Sequence, residues 1–128
     1  MPPQLSIAFS HPDGSEVLKG PFARLRLEGE VMRTESGGRE IARHERHHWE
    51  VDGKSYTRAE CSCRAIVMFL LPDGTGSKRF GPFDSVSFVD GIAYTDRKVF
   101  AFADRSIVDW YCHENGHHYP VMLIEPAD

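Results

Sequence analysis

The chain has 128 residues, a formal net charge of −4 with histidine neutral, and apolar and charged fractions of 41% and 27%. These values are typical of a soluble globular protein of one domain, and the acidic balance argues against the basic surface that nucleic-acid or anionic-membrane binding requires. No apolar run approaches the roughly 18 residues of a transmembrane helix.

The N-terminal residues and the number of cysteines indicate the cellular compartment of the protein. Met1-Pro2-Pro3-Gln4 lacks the charged and apolar regions of a signal peptide. Three cysteines are an odd number, which fits a reduced environment better than a disulfide framework. We therefore expect a cytoplasmic protein.

The first half of the chain alternates strand-like segments with turns. Residues 5–10 alternate apolar and polar side chains, which is the period of a half-buried strand. Pro12-Asp13-Gly14 then supplies turn chemistry, and Gly20-Pro21-Phe22 and Glu28-Gly29 end the next short strands. A hairpin is predicted over residues 41–63, with Asp52-Gly53 as its two-residue turn.

The second half presents the same turn signals in the same order. The number of positions between each signal and its counterpart in the first half increases by one from each signal to the next. Small insertions in a duplicated unit would produce such an increase. Four signals carry the match: Pro72-Asp73-Gly74 at 60 positions, Gly81-Pro82-Phe83 at 61, Asp90-Gly91 at 62 and Gly116 at 63.

The fold class that follows is all-β, with two tandem antiparallel meander repeats over about 5–63 and 64–126. Half a chain of this length would bury too little surface alone, so the repeats are expected to share one core as a sandwich or barrel. Residues 54–71 contain no Gly or Pro, which predicts one long or bent strand passing between the halves.

Residues 104–115 leave an alternative open. Asp104 as N-cap and Gly116 just past the C-terminus also fit a short helix, which would make the fold α+β. Branched and aromatic residues beside Asn115-Gly116 favour a strand and a two-residue turn instead. In that hairpin Trp110 would face Val121.

Histidine and cysteine supply the candidate metal ligands. The Asp52-Gly53 turn would place His44 opposite Cys61, and Cys63 would share their face, as zinc ligands can. The Asn115-Gly116 turn would place His113 opposite His118. A cysteine in a strand is more often a small buried apolar residue, so no cofactor is expected, with zinc or another transition metal as the alternative.

A contact surface is predicted at the tip of the first hairpin. Trp49 and Tyr56 should face each other across the strands, with His47 and Arg58 as polar neighbours. Such a pair can bind a partner protein, although it can equally serve to fix hairpin register.

These patterns predict a small β-rich interaction module that binds a protein partner or itself, and neither nucleic acid nor membrane. The chain has no Gly-rich phosphate loop, Gly-x-Ser-x-Gly or His-Glu-x-x-His motif, so no catalysis is identified. The alternative is a metal-dependent enzyme or metal sensor that uses a His/Cys cluster. A third possibility, a small-ligand binder, requires a cavity that sequence cannot show.

Overall fold

The computed structural model describes residues 3–34, 38–45, 48–104 and 109–127, and this part of the chain contains strands and turns but no helix. Within it, the first half contributes eight strands: β1 (Leu5–Ser10), β2 (Glu16–Phe22), β3 (Leu25–Glu28), β4 (Val31–Thr34), β5 (Glu40–Glu45), β6 (His48–Val51), β7 (Lys54–Tyr56) and β8 (Arg58–Cys61). The second half contributes eight more: β9 (Ala65–Leu70), β10 (Phe80–Phe83), β11 (Val86–Val89), β12 (Ile92–Thr95), β13 (Lys98–Asp104), β14 (Asp109–Cys112), β15 (His118–Tyr119) and β16 (Val121–Pro126).

The strands form two antiparallel sheets that enclose one core, which confirms the all-β sandwich. The first sheet has the order β15-β14-β13-β12-β11-β8-β1-β2, and the second has the order β10-β9-β16-β3-β4-β5-β6-β7. The alternative helix over 104–115 is wrong in its described part, because Asp109–Cys112 is a strand paired with β13. No described helix has the length and apolarity that a membrane crossing needs.

The two sheets have equivalent strand orders. Replacing each strand of one sheet by the strand eight strands earlier or later in the chain gives the order of the other sheet. Both sheets therefore contain strands of both halves: β8 lies between β11 and β1, and β16 lies between β9 and β3. Duplication of one unit, giving the repeats 5–63 and 64–126, would produce this strand order. We interpret the order as a sign of such a duplication.

The connection between the halves is not one long strand, as the sequence suggested. Residues 54–71 hold three strands, because the chain leaves the second sheet after Tyr56, forms β8 in the first, and returns as β9. Two changes of sheet within so short a stretch let both halves contribute to one interior.

The core follows the period of two that strands impose on their side chains. Along β1, Leu5, Ile7 and Phe9 are buried while the alternate residues are partly exposed. At the centre, the Phe88 ring lies between two tryptophans, with centroids 5.8 Å from Trp49 and 6.1 Å from Trp110.

The first predicted turn is confirmed. Val51 pairs with Lys54 and Trp49 with Tyr56. Both turn residues have positive φ, 51° at Asp52 and 81° at Gly53, as a type I′ turn requires.

The second turn is a four-residue loop over residues 113–116, so the two-residue prediction is wrong. The Cys112 amide donates to the His117 carbonyl oxygen at 2.9 Å, and Trp110 pairs with Tyr119. β15 then ends at Tyr119, and β16 joins the second sheet between β3 and β9. Trp110 therefore does not face Val121.

Candidate functional sites

His44 and Cys61 lie in different sheets, which makes their predicted pairing wrong. His44 pairs with Trp49 in the second sheet, and Cys61 pairs with Ile7 in the first. The first hairpin ends at Tyr56, since the chain changes sheet there, so its register does not extend to Cys61. Within the described ranges, His44, Cys61 and Cys63 do not form a group of metal-ligand atoms.

The cysteines behave as buried or half-buried thiols. All three are free. Burial raises the pKa of Cys61 to about 12, and burial also raises the pKa values of Cys63 and Cys112. A raised thiol pKa disfavours the thiolate that metals and electrophiles require.

The predicted pair of His113 and His118 is also wrong. His113 lies in the four-residue loop, and His118 pairs across the strands with Tyr111. The imidazole of His118 instead meets Asp109, with Nδ1 3.0 Å from Oδ1. The four-residue loop changes the strand register by two residues, so the partner of His118 is Tyr111 and not His113.

Trp49 and Tyr56 form the expected cross-strand pair, but their predicted role in partner contact is wrong. Their relative exposures are 1% and 5%, so both belong to the core. His47 lies outside the described residues. Arg58 is exposed on β8, with Nη2 3.8 Å from Glu60 Oε2.

A group of potential metal ligands does occur at a place that sequence reasoning missed. Glu45 and His48 are opposite each other on β5 and β6, and Glu50 lies two residues further along β6. One ligand atom from each lies within 4.8 Å of the other two, and this is the one such group within the described ranges. The alternation of side chains along β5 and β6 was the available signal.

A second missed feature is a row of side chains across the outer face of the first sheet. We call Ile92, Phe102, Tyr111 and His118 the aromatic row. Each is the cross-strand partner of the next, from β12 to β15. Ring centroids are 4.8 Å apart for Phe102 and Tyr111 and 4.9 Å apart for Tyr111 and His118.

The aromatic row is flanked by opposite charges. At one side Val89 pairs with Ile92, and Arg58 pairs with Val89. At the other side the Asp109 carboxylate lies against His118. Four strand spacings of about 4.8 Å separate Arg58 on β8 from Asp109 on β14, so the two charged groups lie about 19 Å apart across the strands.

Comparison with known proteins returns no relative. No family model matches the chain, and neither a curated protein nor a solved structure is significantly similar to it.

Proposed function

We propose that the chain is a non-enzymatic interaction module that pairs with a second copy of itself through the aromatic row. The observation that carries this proposal is the combination of a continuous apolar and aromatic row with opposite charges at its two ends. Neither property is needed for the fold, since these side chains lie on the outer face of the sheet.

The apolar part of the row has the composition of a contact surface. Phe102 is 37% exposed, although burial of a large aromatic ring is strongly favourable. Aromatic side chains at the centre with charged groups at the rim are typical of protein interfaces.

The charges favour a second copy as the partner. A two-fold axis parallel to the strands would bring the outer faces together and reverse the direction of the row. Arg58 of each copy would then face Asp109 of the other, so one surface would be complementary to itself. We also infer a cytoplasmic location, which the three free cysteines support.

Sedimentation equilibrium tests the apolar part of this proposal. We expect the wild type to dimerise between roughly 10 and 500 µM, and Phe102→Glu to abolish dimerisation by placing a charge in the interface. Leu71→Glu is the matched control, because Leu71 is 40% exposed but directly follows β9 of the other sheet. A wild type that stays monomeric throughout this range would contradict self-pairing.

A charge exchange tests the orientation of the two copies. Arg58→Asp should raise the dimer dissociation constant about fivefold, since exposed ion pairs contribute up to about 1 kcal/mol. Asp109→Arg should raise it by at least as much, because the Asp109 side chain is only 16% exposed and contacts His118. The double variant should recover most of the loss. Additive weakening in the double variant would reject the reversed arrangement.

A second candidate function is metal binding by Glu45, His48 and Glu50. Carboxylates and imidazole are ligands for zinc, and His48 Nε2 lies 3.6 Å from Glu50 Oε1. Calorimetric titration with zinc should give one site per chain, lost in Glu45→Gln/Glu50→Gln and retained in the exposed-carboxylate control Glu60→Gln. Equal zinc binding by all three proteins would reject this site.

A further inference from the structure

The Gly20-Pro21-Phe22 corner borders a cleft of about 230 Å³ between the edge strand β2 of the first sheet and the second sheet. We call it the first cleft. β2 of the first sheet lies on one side, and β4, β5 and the β6–β7 turn of the second sheet lie on the other. Among the described residues, its lining consists of Lys19, Gly20, Phe22, Thr34, Arg39, Glu40, Ile41 and Asp52.

Most charges in the first cleft are already neutralised. Lys19 Nζ lies 2.5 Å from Asp52 Oδ2, and Glu40 Oε1 lies 3.0 Å from Arg43 Nη2. The Arg39 guanidinium has no ion pair to any residue in the described ranges. Among the described residues, the cleft thus combines one cation that has no ion pair with a hydroxyl group and two apolar side chains.

A second cleft, of about 510 Å³, is built on the same plan. It lies between the corresponding strands, with β10 on one side and β12 and β13 on the other. The equivalent side chains are Phe83 for Phe22, Thr95 for Thr34, Lys98 for Arg39 and Phe100 for Ile41.

The recurrence of this plan extends to the backbone. The Thr34 amide donates to the Arg39 carbonyl oxygen at 3.1 Å, and Thr95 pairs with Lys98. The second cleft differs in charge, because the carboxylates of Asp96 and Glu114 also line it.

We propose that the first cleft binds a small organic carboxylate with an aromatic or aliphatic body. Arg39 binds the carboxylate through two parallel N–H donors, and the Thr34 hydroxyl donates a further hydrogen bond. Phe22 and Ile41 pack against the body of the ligand. The cleft is smaller than the usual range for drug-sized ligands, which limits the ligand to about the size of benzoate.

The second cleft binds the same class of ligand more weakly, because Glu114 repels an anion beside Lys98. This binding function is separate from self-pairing. The first cleft shares no residue with the aromatic row, so the two proposals fail or succeed independently.

Titration of the 15N-labelled chain with benzoate tests the first cleft. We expect saturable amide shifts confined to the residues around Gly20, Phe22, Thr34 and Arg39, with a dissociation constant on the order of 1 mM. Benzamide has the same shape without the charge and should bind at least tenfold more weakly. Equal affinity for benzamide, or no saturable shift, would overturn the proposal.

Two variants locate the anion contact. Arg39→Gln should weaken benzoate binding about tenfold, because it removes the charged guanidinium group while leaving a polar side chain at this exposed position. Arg97→Gln is the matched control, since Arg97 is an exposed arginine that lines neither cleft, and it should bind as the wild type does. If Arg39→Gln binds benzoate unchanged, the assignment of the carboxylate to Arg39 is wrong.

Discussion

Trp49 is the residue whose role the structure changes most. Its indole is buried against Phe9, Phe88 and His44, with ring centroids 6.1, 5.8 and 5.0 Å away. A residue placed in this way stabilises the contact between the sheets and is not available to a partner.

The first prediction concerns the stability of Trp49 variants. Trp49→Ala should lower the free energy of unfolding by about 3–5 kcal/mol, because it leaves a large cavity in the core. Trp49→Phe should cost much less, about 1–2 kcal/mol, because it keeps a ring, and within the described ranges the Trp49 Nε1–H has no hydrogen-bond partner to lose. Urea denaturation measures both values.

Leu18→Ala is the control for that series, because Leu18 is 63% exposed on the edge strand β2. It should change the free energy of unfolding by less than about 0.5 kcal/mol. A comparably small effect in Trp49→Ala would contradict the buried position of the indole.

The second prediction concerns alkaline pH and Cys61. Burial raises the pKa of this thiol from 9.0 to about 12, so the unfolded chain releases the proton at a lower pH than the folded chain. The stability that depends on the protonated thiol is complete below pH 9 and is lost as the pH rises from 9 towards 12. The slope is about 1.4 kcal/mol per pH unit.

Urea midpoints at several pH values measure this loss. Between pH 9 and pH 10.5, Cys61→Ala should lose about 2 kcal/mol less stability than the wild type. Cys63→Ala should give a smaller difference, since Cys63 is only half-buried. Parallel pH profiles for the wild type and Cys61→Ala would show that Cys61 ionises equally easily in both states.

At the scale of elements, the two hairpins show why Asp52-Gly53 and Asn115-Gly116 form different turns. In the second, Asn115 Oδ1 accepts a hydrogen bond from the His117 amide at 2.9 Å. Asn115 Nδ2 donates to the Tyr119 hydroxyl, also at 2.9 Å. These contacts stabilise the longer loop, in which only Gly116 of the Asn-Gly pair has a positive φ, at 73°.

The third prediction follows from those two hydrogen bonds. Asn115→Ala should lower the free energy of unfolding by about 1–2 kcal/mol, because both bonds are lost. Asn115→Asp keeps the acceptor for the His117 amide and removes only the donor to Tyr119, so its cost should be smaller and should resemble that of Tyr119→Phe. Thermal and urea unfolding of the three variants measure the order.

If Asn115→Ala and Asn115→Asp are equally stable, the Oδ1 contact contributes nothing. An additive loss in Asn115→Asp/Tyr119→Phe would show that the amide and the hydroxyl do not act as a pair.

At the scale of the whole molecule, the two halves cannot separate without breaking both sheets. β8 is hydrogen-bonded to β1 and β11, and β16 is hydrogen-bonded to β3 and β9. Each half therefore depends on the other for the neighbouring strand at the junction of the halves in each sheet, β8 beside β11 and β16 beside β3.

The fourth prediction is that residues 1–63 and 64–128 are unfolded as separate monomers and regain strand structure when mixed. Circular dichroism and sedimentation of each fragment and of the mixture measure this. A fragment that folds as a homodimer would support duplication, because the second copy would take the place of the missing half. A fragment that folds as a monomer would contradict the mutual dependence of the halves.

Several features could be predicted from local sequence. Alternation in residues 5–10 identified β1 and its buried face, and Asp52-Gly53 determined that Trp49 faces Tyr56. Both depend on short-range physics: the period of a strand and the positive φ of a type I′ turn. The all-β class follows from the repetition of such signals.

The candidate sites could not be predicted in the same way. The pairing of His44 with Cys61 assumed that the first hairpin continued past Tyr56, but the chain changes sheet there. The pairing of His113 with His118 assumed a two-residue turn, but the chain forms a four-residue loop over residues 113–116. The aromatic row depends on the registers of four consecutive strands, β12 to β15, and the two clefts arise only once strands of different sheets are neighbours.

By itself, the sequence determined strand positions, inward faces and one hairpin register, because these depend on residues close together in the chain. Only the tertiary structure decided which sheet each strand joins, and therefore which histidine, cysteine and aromatic side chains meet. The physical reason is that partners far apart in the chain are selected by burial of both sheets against one shared core, and no local pattern encodes that choice.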